Sequence, residues 1–200
     1  MRDAILYIHG QGGSADEAER YERLCPGYHV RGLDYHGTVP WETKGEVLAA
    51  CDGLFREQRK VVIIANSIGA YYAMNALQER SVSQALFISP IVDMEKLICD
   101  MMARSGVTEA ELAEKREIRT PFGETLSWEY LRYVREHPVA WTVPTHILYG
   151  DRDELTSIST LRAFADSHNA DVEIMKGGEH WFHTSEQMAF HDAWVKRLLA

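Results

Sequence analysis

Four short apolar runs of β character punctuate the chain: Ala4 to His9, Val61 to Asn66, Ala85 to Ser89 and His146 to Gly150. They are continuous rather than alternating, the pattern of parallel strands covered by helices on both faces. Two weaker runs, Tyr28 to Tyr35 and Asp171 to Met175, bring the expected sheet to about six strands. Between the runs the period becomes helical, with Val47, Cys51, Leu54 and Phe55 on one segment and Ala70, Met74 and Leu77 on another. The last segment opens with Thr184 and Gln187 at capping-box spacing and offers Met188, Trp194, Val195 and Leu198 as one buried stripe. Alternating strands and helices predict an α/β fold built on a mostly parallel, doubly wound sheet.

One interval breaks the alternation. From about 91 to 141 no convincing strand is present, and helix-like pieces occupy Met94 to Ala103, Thr108 to Arg119 and Ser127 to His137. Thr108 with Glu111 repeats the capping-box spacing, and Arg119-Thr120-Pro121-Phe122-Gly123 reads as a loop. So long an insertion exceeds a plain crossover helix. The expected organisation is one domain over 1–200 with a small helical cap inserted at about 91–141.

Composition narrows the classes. Two hundred residues with 46% hydrophobic content suit one domain with a sizeable core. A formal net charge of -9, with no block of Lys or Arg, leaves out the electrostatic footprint of a nucleic-acid binder. The run following Met1 is too short and wrongly flanked for a signal peptide, and no stretch approaches membrane-spanning length, so a cytoplasmic protein is expected. Cys25, Cys51 and Cys99 are odd in number and lack CxxC spacing, which argues for reduced thiols and against a disulfide framework or a zinc site. No metal or cofactor is expected.

The candidate chemistry lies where the apolar runs end. Val61-Val62-Ile63-Ile64-Ala65-Asn66-Ser67-Ile68-Gly69-Ala70 reads strand, serine, small residue, helix. A serine hydroxyl is a poor nucleophile unless a sharp turn forces it outward beside a base, although serines at strand ends also serve as turn or cap residues. His9-Gly10-Gln11-Gly12-Gly13 follows the first run, and its glycines allow a ligand to approach the main chain. It has neither the GxGxxG spacing of a dinucleotide site nor the Lys of a P-loop, and a plain strand-to-helix turn is the alternative. Two acids, Asp151 and Asp153, follow the run ending at Gly150, and either suits a helix cap. Gly177-Gly178-Glu179-His180-Trp181-Phe182-His183 closes the series with two histidines after paired glycines.

In this order the pieces resemble the α/β-hydrolase superfamily, whose triad runs serine, acid, histidine. The resemblance covers almost the whole chain and suggests a compact, esterase-like serine hydrolase. It implies Ser67 as nucleophile, with Ala65 standing where the family pattern has its first glycine. By position in the turn it implies Asp153 rather than Asp151 as the acid, and His180, directly after Gly177-Gly178-Glu179, rather than His183 as the base. It also implies an oxyanion hole from the backbone amides of Ile68 and Gln11.

The expected partner is a small-molecule ester or related acyl compound, with no nucleic acid and no membrane. Trp41, beside Pro40, and Trp181, beside His180, are the expected walls for a small or medium acyl group, and Met101, Met102, Phe122, Trp128, Tyr130 and Tyr133 supply the cap with apolar surface. The same triad would serve a thioesterase, lactonase, amidase, peptidase or hydroxynitrile lyase, and a binding protein could keep the fold without the reaction.

Overall fold

A computed structural model describes residues 2–57 and 60–199. The six expected runs become six parallel strands, β1 (Ala4–Ile8), β2 (His29–Leu33), β3 (Val61–Asn66), β4 (Gln84–Ile88), β7 (Thr145–Gly150) and β8 (Ala170–Met175). They lie in one sheet in the order β2-β1-β3-β4-β7-β8. In register, Ile8 pairs with Ala65, Asn66 with Ile88, and Gly150 with Met175, so the carboxyl ends of the central strands finish together. The order turns back at β1 and β3, and a crevice opens there because successive connections leave toward opposite faces.

The continuous apolar runs have a simple cause. In β1, Ile5 and Tyr7 join a cluster with Val62, Ile64, Leu86 and Leu148. Alternate residues such as Ala4, Leu6 and Ile8 are equally buried and point to the opposite face. The first face meets α1 (Glu19–Leu24) and α8 (Ser185–Leu199) through Tyr21, Cys25, Trp194 and Val195. Further helices α2 (Pro40–Glu57), α3 (Ile68–Leu77) and α7 (Ile158–Ser167) complete the layers. Among the described residues no helix is long and apolar enough to cross a membrane.

α8 departs from its expected stripe. Gln187, His191, Trp194, Val195 and Leu199 are buried and Leu198 only partly so, which admits two polar groups to the packed face. The capping box is shifted by one residue. Thr184 Oγ1 accepts from the Gln187 backbone amide at 3.2 Å, but the Gln187 side-chain oxygen Oε1 accepts from the backbone amide of His183, one residue before Thr184, at 3.0 Å.

The chain divides into two compact units, Met1–Val92 with Ala140–Ala200, and Asp93–Val139. The second unit holds α4 (Met94–Ser105), α5 (Glu109–Lys115) and α6 (Trp128–Glu136). Contrary to the expectation of no strand in this interval, it also carries an antiparallel hairpin, β5 (Glu117–Arg119) with β6 (Thr125–Ser127). Arg116 takes a positive φ of 66° and stops α5 at Lys115, short of the expected Arg119. The Thr120 amide then donates to the Glu124 carbonyl at 2.7 Å and closes the hairpin. Three-residue strands are too short to show a period.

Candidate active site

Ser67 stands between β3 and α3 with φ 50° and ψ -120°, a conformation that a side-chain-bearing residue adopts only under constraint. The constraint is visible on both sides of the peptide. The Ser67 amide donates to the Ile88 carbonyl at 3.0 Å, and the Ile91 amide donates to the Ser67 carbonyl at 3.1 Å. Close approach does the rest. A Cβ on Gly69 would strike the carbonyls of Ile8 and His9, and one on Gly10 would come 3.2 Å from the Ser67 Cβ. Ala65, fully buried in β3, is accommodated with its methyl group.

The acid and the histidine come from the turns after β7 and β8. These turns touch at Gly150 and Gly178, so closely that a side chain on either would collide with the other's backbone. The Arg152 amide donates to the Gly178 carbonyl at 2.8 Å and the Asp151 amide to Met175 at 3.1 Å. The Asp151 side chain adds a third tie, accepting from the Gly177 amide at 2.6 Å. It is spent there. Asp153 turns the other way, and its side chain is fully buried.

Asp153 Oδ1 accepts from the amides of Leu155 at 2.8 Å and Thr156 at 3.1 Å, while Oδ2 meets His180 Nδ1 at 2.7 Å. The other ring nitrogen, Nε2, lies 2.9 Å from Ser67 Oγ. The Asp153 bond favours the tautomer with its proton on Nδ1, which leaves Nε2 as acceptor for the serine hydroxyl. His183 is exposed and its Nδ1 donates to the Trp181 carbonyl at 2.7 Å. The structure therefore brings Ser67, His180 and Asp153 together and leaves Asp151 and His183 outside the chain of bonds.

The backbone amides of Ile68 and Gln11 are the two that the resemblance to the superfamily points to for an anion. Ile68 opens α3, so its N–H is among the helix-initial amides that lack an intrahelical acceptor. Among the described residues neither the Ile68 nor the Gln11 amide donates to a backbone carbonyl. Gln11 lies in the exposed turn that the Gly13 amide closes on the Gly10 carbonyl at 3.1 Å.

A cavity of about 900 Å³ opens onto Ser67 and His180. Its walls include Tyr7, Tyr21, Trp181, Phe182 and Met188, beside the Gly10–Gly13 turn. Trp181 is 76% exposed at its edge, whereas Trp41, in the first turn of α2, lies outside this lining. The wall formed by α1 and α8 escaped the sequence reading, because α1 buries Tyr21 alone and gives little period to detect. Among the described residues no group of three or more His, Cys, Asp or Glu side chains is placed to hold a metal ion.

No protein-family model and no curated protein sequence matches the chain. Solved structures do. The chain is similar to Est1E from Butyrivibrio proteoclasticus (18% identity, 99% of this chain and 87% of that chain, TM-score 0.77). It is also similar to a protein described as a hydrolase from Agrobacterium vitis S4 (18% identity, 100% and 88%, TM-score 0.81). A third is alpha/beta hydrolase domain-containing protein 10 from mouse (18% identity, 98% and 89%, TM-score 0.77). With six parallel strands between helices and a strained serine after the third, the chain has the α/β-hydrolase fold.

Proposed function

We propose that the protein is a serine hydrolase that cleaves a small or medium carboxylic ester through an acyl-enzyme. The observation that carries this reading is the unbroken line of hydrogen bonds from Asp153 through His180 to a serine held at positive φ. In the reaction the Ser67 oxygen attacks the carbonyl carbon while His180 Nε2 takes the hydroxyl proton. His180 returns that proton to the leaving alcohol, and the carbonyl re-forms as the acyl-enzyme. A water then attacks, giving its proton to His180, and the acid is released with Ser67 restored. Asp153 keeps its charge throughout, fixing the imidazole tautomer and stabilising the imidazolium.

Negative charge gathers on the substrate oxygen as attack proceeds. The amides of Ile68 and Gln11 are the donors assigned to it. Loss of one such donor costs about 3–4 kcal/mol in a protease of known mechanism. The cavity is of the size that encloses small ligands, and its aromatic rings suit an apolar or aryl acyl group. Est1E, with which the chain shares its fold, has a structure with ferulic acid bound, and the rings of Trp181 and Phe182 in the pocket lining support an aryl acyl group among the candidates here.

The test is direct. A fluorophosphonate labels Ser67 in the native protein and not after unfolding, and Ser67→Ala or His180→Ala lowers p-nitrophenyl ester hydrolysis by several orders of magnitude. A folded protein that takes no label, or an alanine variant with full activity, overturns the assignment. Asp153→Asn lowers kcat far more than Asp151→Asn, and the reverse order would move the acid to Asp151.

A further inference from the structure

Glu17, in the 3-10 turn Ala15–Ala18, joins the two parts of the site that hydrogen bonds of the triad do not reach. Its Oε1 accepts from the Ser14 amide at 3.3 Å, where the glycine-rich turn ends. Its Oε2 accepts the hydroxyl of Tyr7, a fully buried residue of β1. Tyr7 Oη in turn accepts from Asn66 Nδ2 at 2.8 Å, and Asn66 is the residue before Ser67. Gly13 sits so near that a Cβ there would lie 2.6 Å from Glu17 Oε1.

The direction of these bonds demands a carboxylate. The Asn66 amide fills an acceptor position on the phenol oxygen, so the phenol proton needs an acceptor beyond it, and the Ser14 N–H needs another. Both oxygens of Glu17 accept and neither donates. Burial, then Tyr21 and Glu17 nearby, push the Tyr7 phenol far above its ordinary range and keep it a donor. The turn that this arrangement holds is exposed and built from glycines, and without a tie it would be free to sample other conformations.

We propose that Glu17, acting through Tyr7 and Asn66, is a positioning residue that holds the Gly10–Ser14 turn, and with it the Gln11 amide, against the Ser67 elbow. The inference rests on the ester-hydrolase reading for its catalytic consequence, but its structural content stands by itself. An amide aimed where the oxyanion forms acts on the transition state and hardly on ground-state binding, so a misplaced donor lowers kcat and leaves KM nearly unchanged.

Two measurements on Glu17→Gln, with Tyr7→Phe as a second variant, test it. Hydrogen exchange of the Gly13 and Ser14 amides, which donate hydrogen bonds in this turn, speeds up by about tenfold or more while the strands β3 and β4 keep their protection. Ester hydrolysis shows kcat reduced by about 10- to 100-fold at a KM within about twofold, and the affinity for a boronic acid that forms a tetrahedral adduct on Ser67 falls in parallel with kcat/KM. Unchanged exchange in both variants overturns the proposal whether or not the protein hydrolyses esters. So does a loss confined to KM, or a fall in kcat without a weaker boronate. Faster exchange in a protein whose wild type takes no fluorophosphonate upholds the tie and overturns the hydrolase reading instead.

Discussion

At Ser67 the backbone and the side chain want different residues. A φ of 50° suits glycine, and holding a serine there costs on the order of 1–3 kcal/mol, which the bonds from Ile91 and to Ile88 must offset. Comparing Ser67→Gly with Ser67→Ala isolates this strain, since both lose the bond to His180. We expect Ser67→Gly to be the more stable by about 1 kcal/mol in urea unfolding, after glycine's greater unfolded-state entropy is subtracted. Equal stability would mean that the neighbouring peptides, and not the side chain, set the conformation. The choice between Asp151 and Asp153 is also made at this scale. Both follow the same strand, and only the direction of each carboxylate, one toward the Gly177 amide and the other toward His180, separates them.

The helices α1 and α8 are joined by groups rarely found inside a protein. Tyr21 and His191 are buried, with Tyr21 Oη and His191 Nε2 3.1 Å apart, His191 Nδ1 3.0 Å from Asp192 Oδ1, and Arg20 holding both Asp192 oxygens at 2.7 Å. Burial, which outweighs the attraction of Asp192, lowers the His191 pKa, so the folded protein keeps this ring neutral where the unfolded chain charges it. A depressed histidine pKa gives stability that is complete above the unfolded value of about 6.5 and falls as pH drops below it. We expect a loss on the order of 1 kcal/mol per pH unit just below that point, absent in His191→Gln. A slope that survives the substitution would place its source elsewhere. Asp192 belongs to a more acidic window: burial works against its charge, yet Arg20 and His191 hold its pKa below the ordinary value.

Within the unit Asp93–Val139 three short helices depend on one arginine. Arg135 of α6 donates to Glu95 of α4 at 2.7 Å and to both oxygens of Glu109 of α5, at 2.7 and 3.0 Å. These groups are partly exposed, so their value lies in fixing geometry more than in stability. We expect Arg135→Ala to speed amide exchange across Glu109–Lys115 while the six-stranded sheet keeps its protection. Exchange unchanged in α5 would show that buried side chains such as Leu112 and Leu131 suffice.

For the molecule as a whole, legibility followed burial. The four central strands could be read because both faces are covered, the exposed edge strands β2 and β8 left only weaker runs, and the glycine, acid and histidine turns could be read because they sit where strands end. The hairpin β5–β6 could not, since Glu117, Arg119 and Thr125 are exposed and leave no apolar pattern. The tie through Glu17 left one trace, the spacing of Ser14 and Glu17, which looks like an ordinary cap until the fold sets Tyr7 beside it.

The strained serine also bears on how such a chain is maintained. A glycine at position 67 would free the backbone at no steric cost. A lineage that had given up the reaction and kept only the scaffold would gain stability by that change. Under the proposed reaction the hydroxyl at 67 cannot be given up for that relief, so the strain at this position and the chemistry proposed for it stand or fall together.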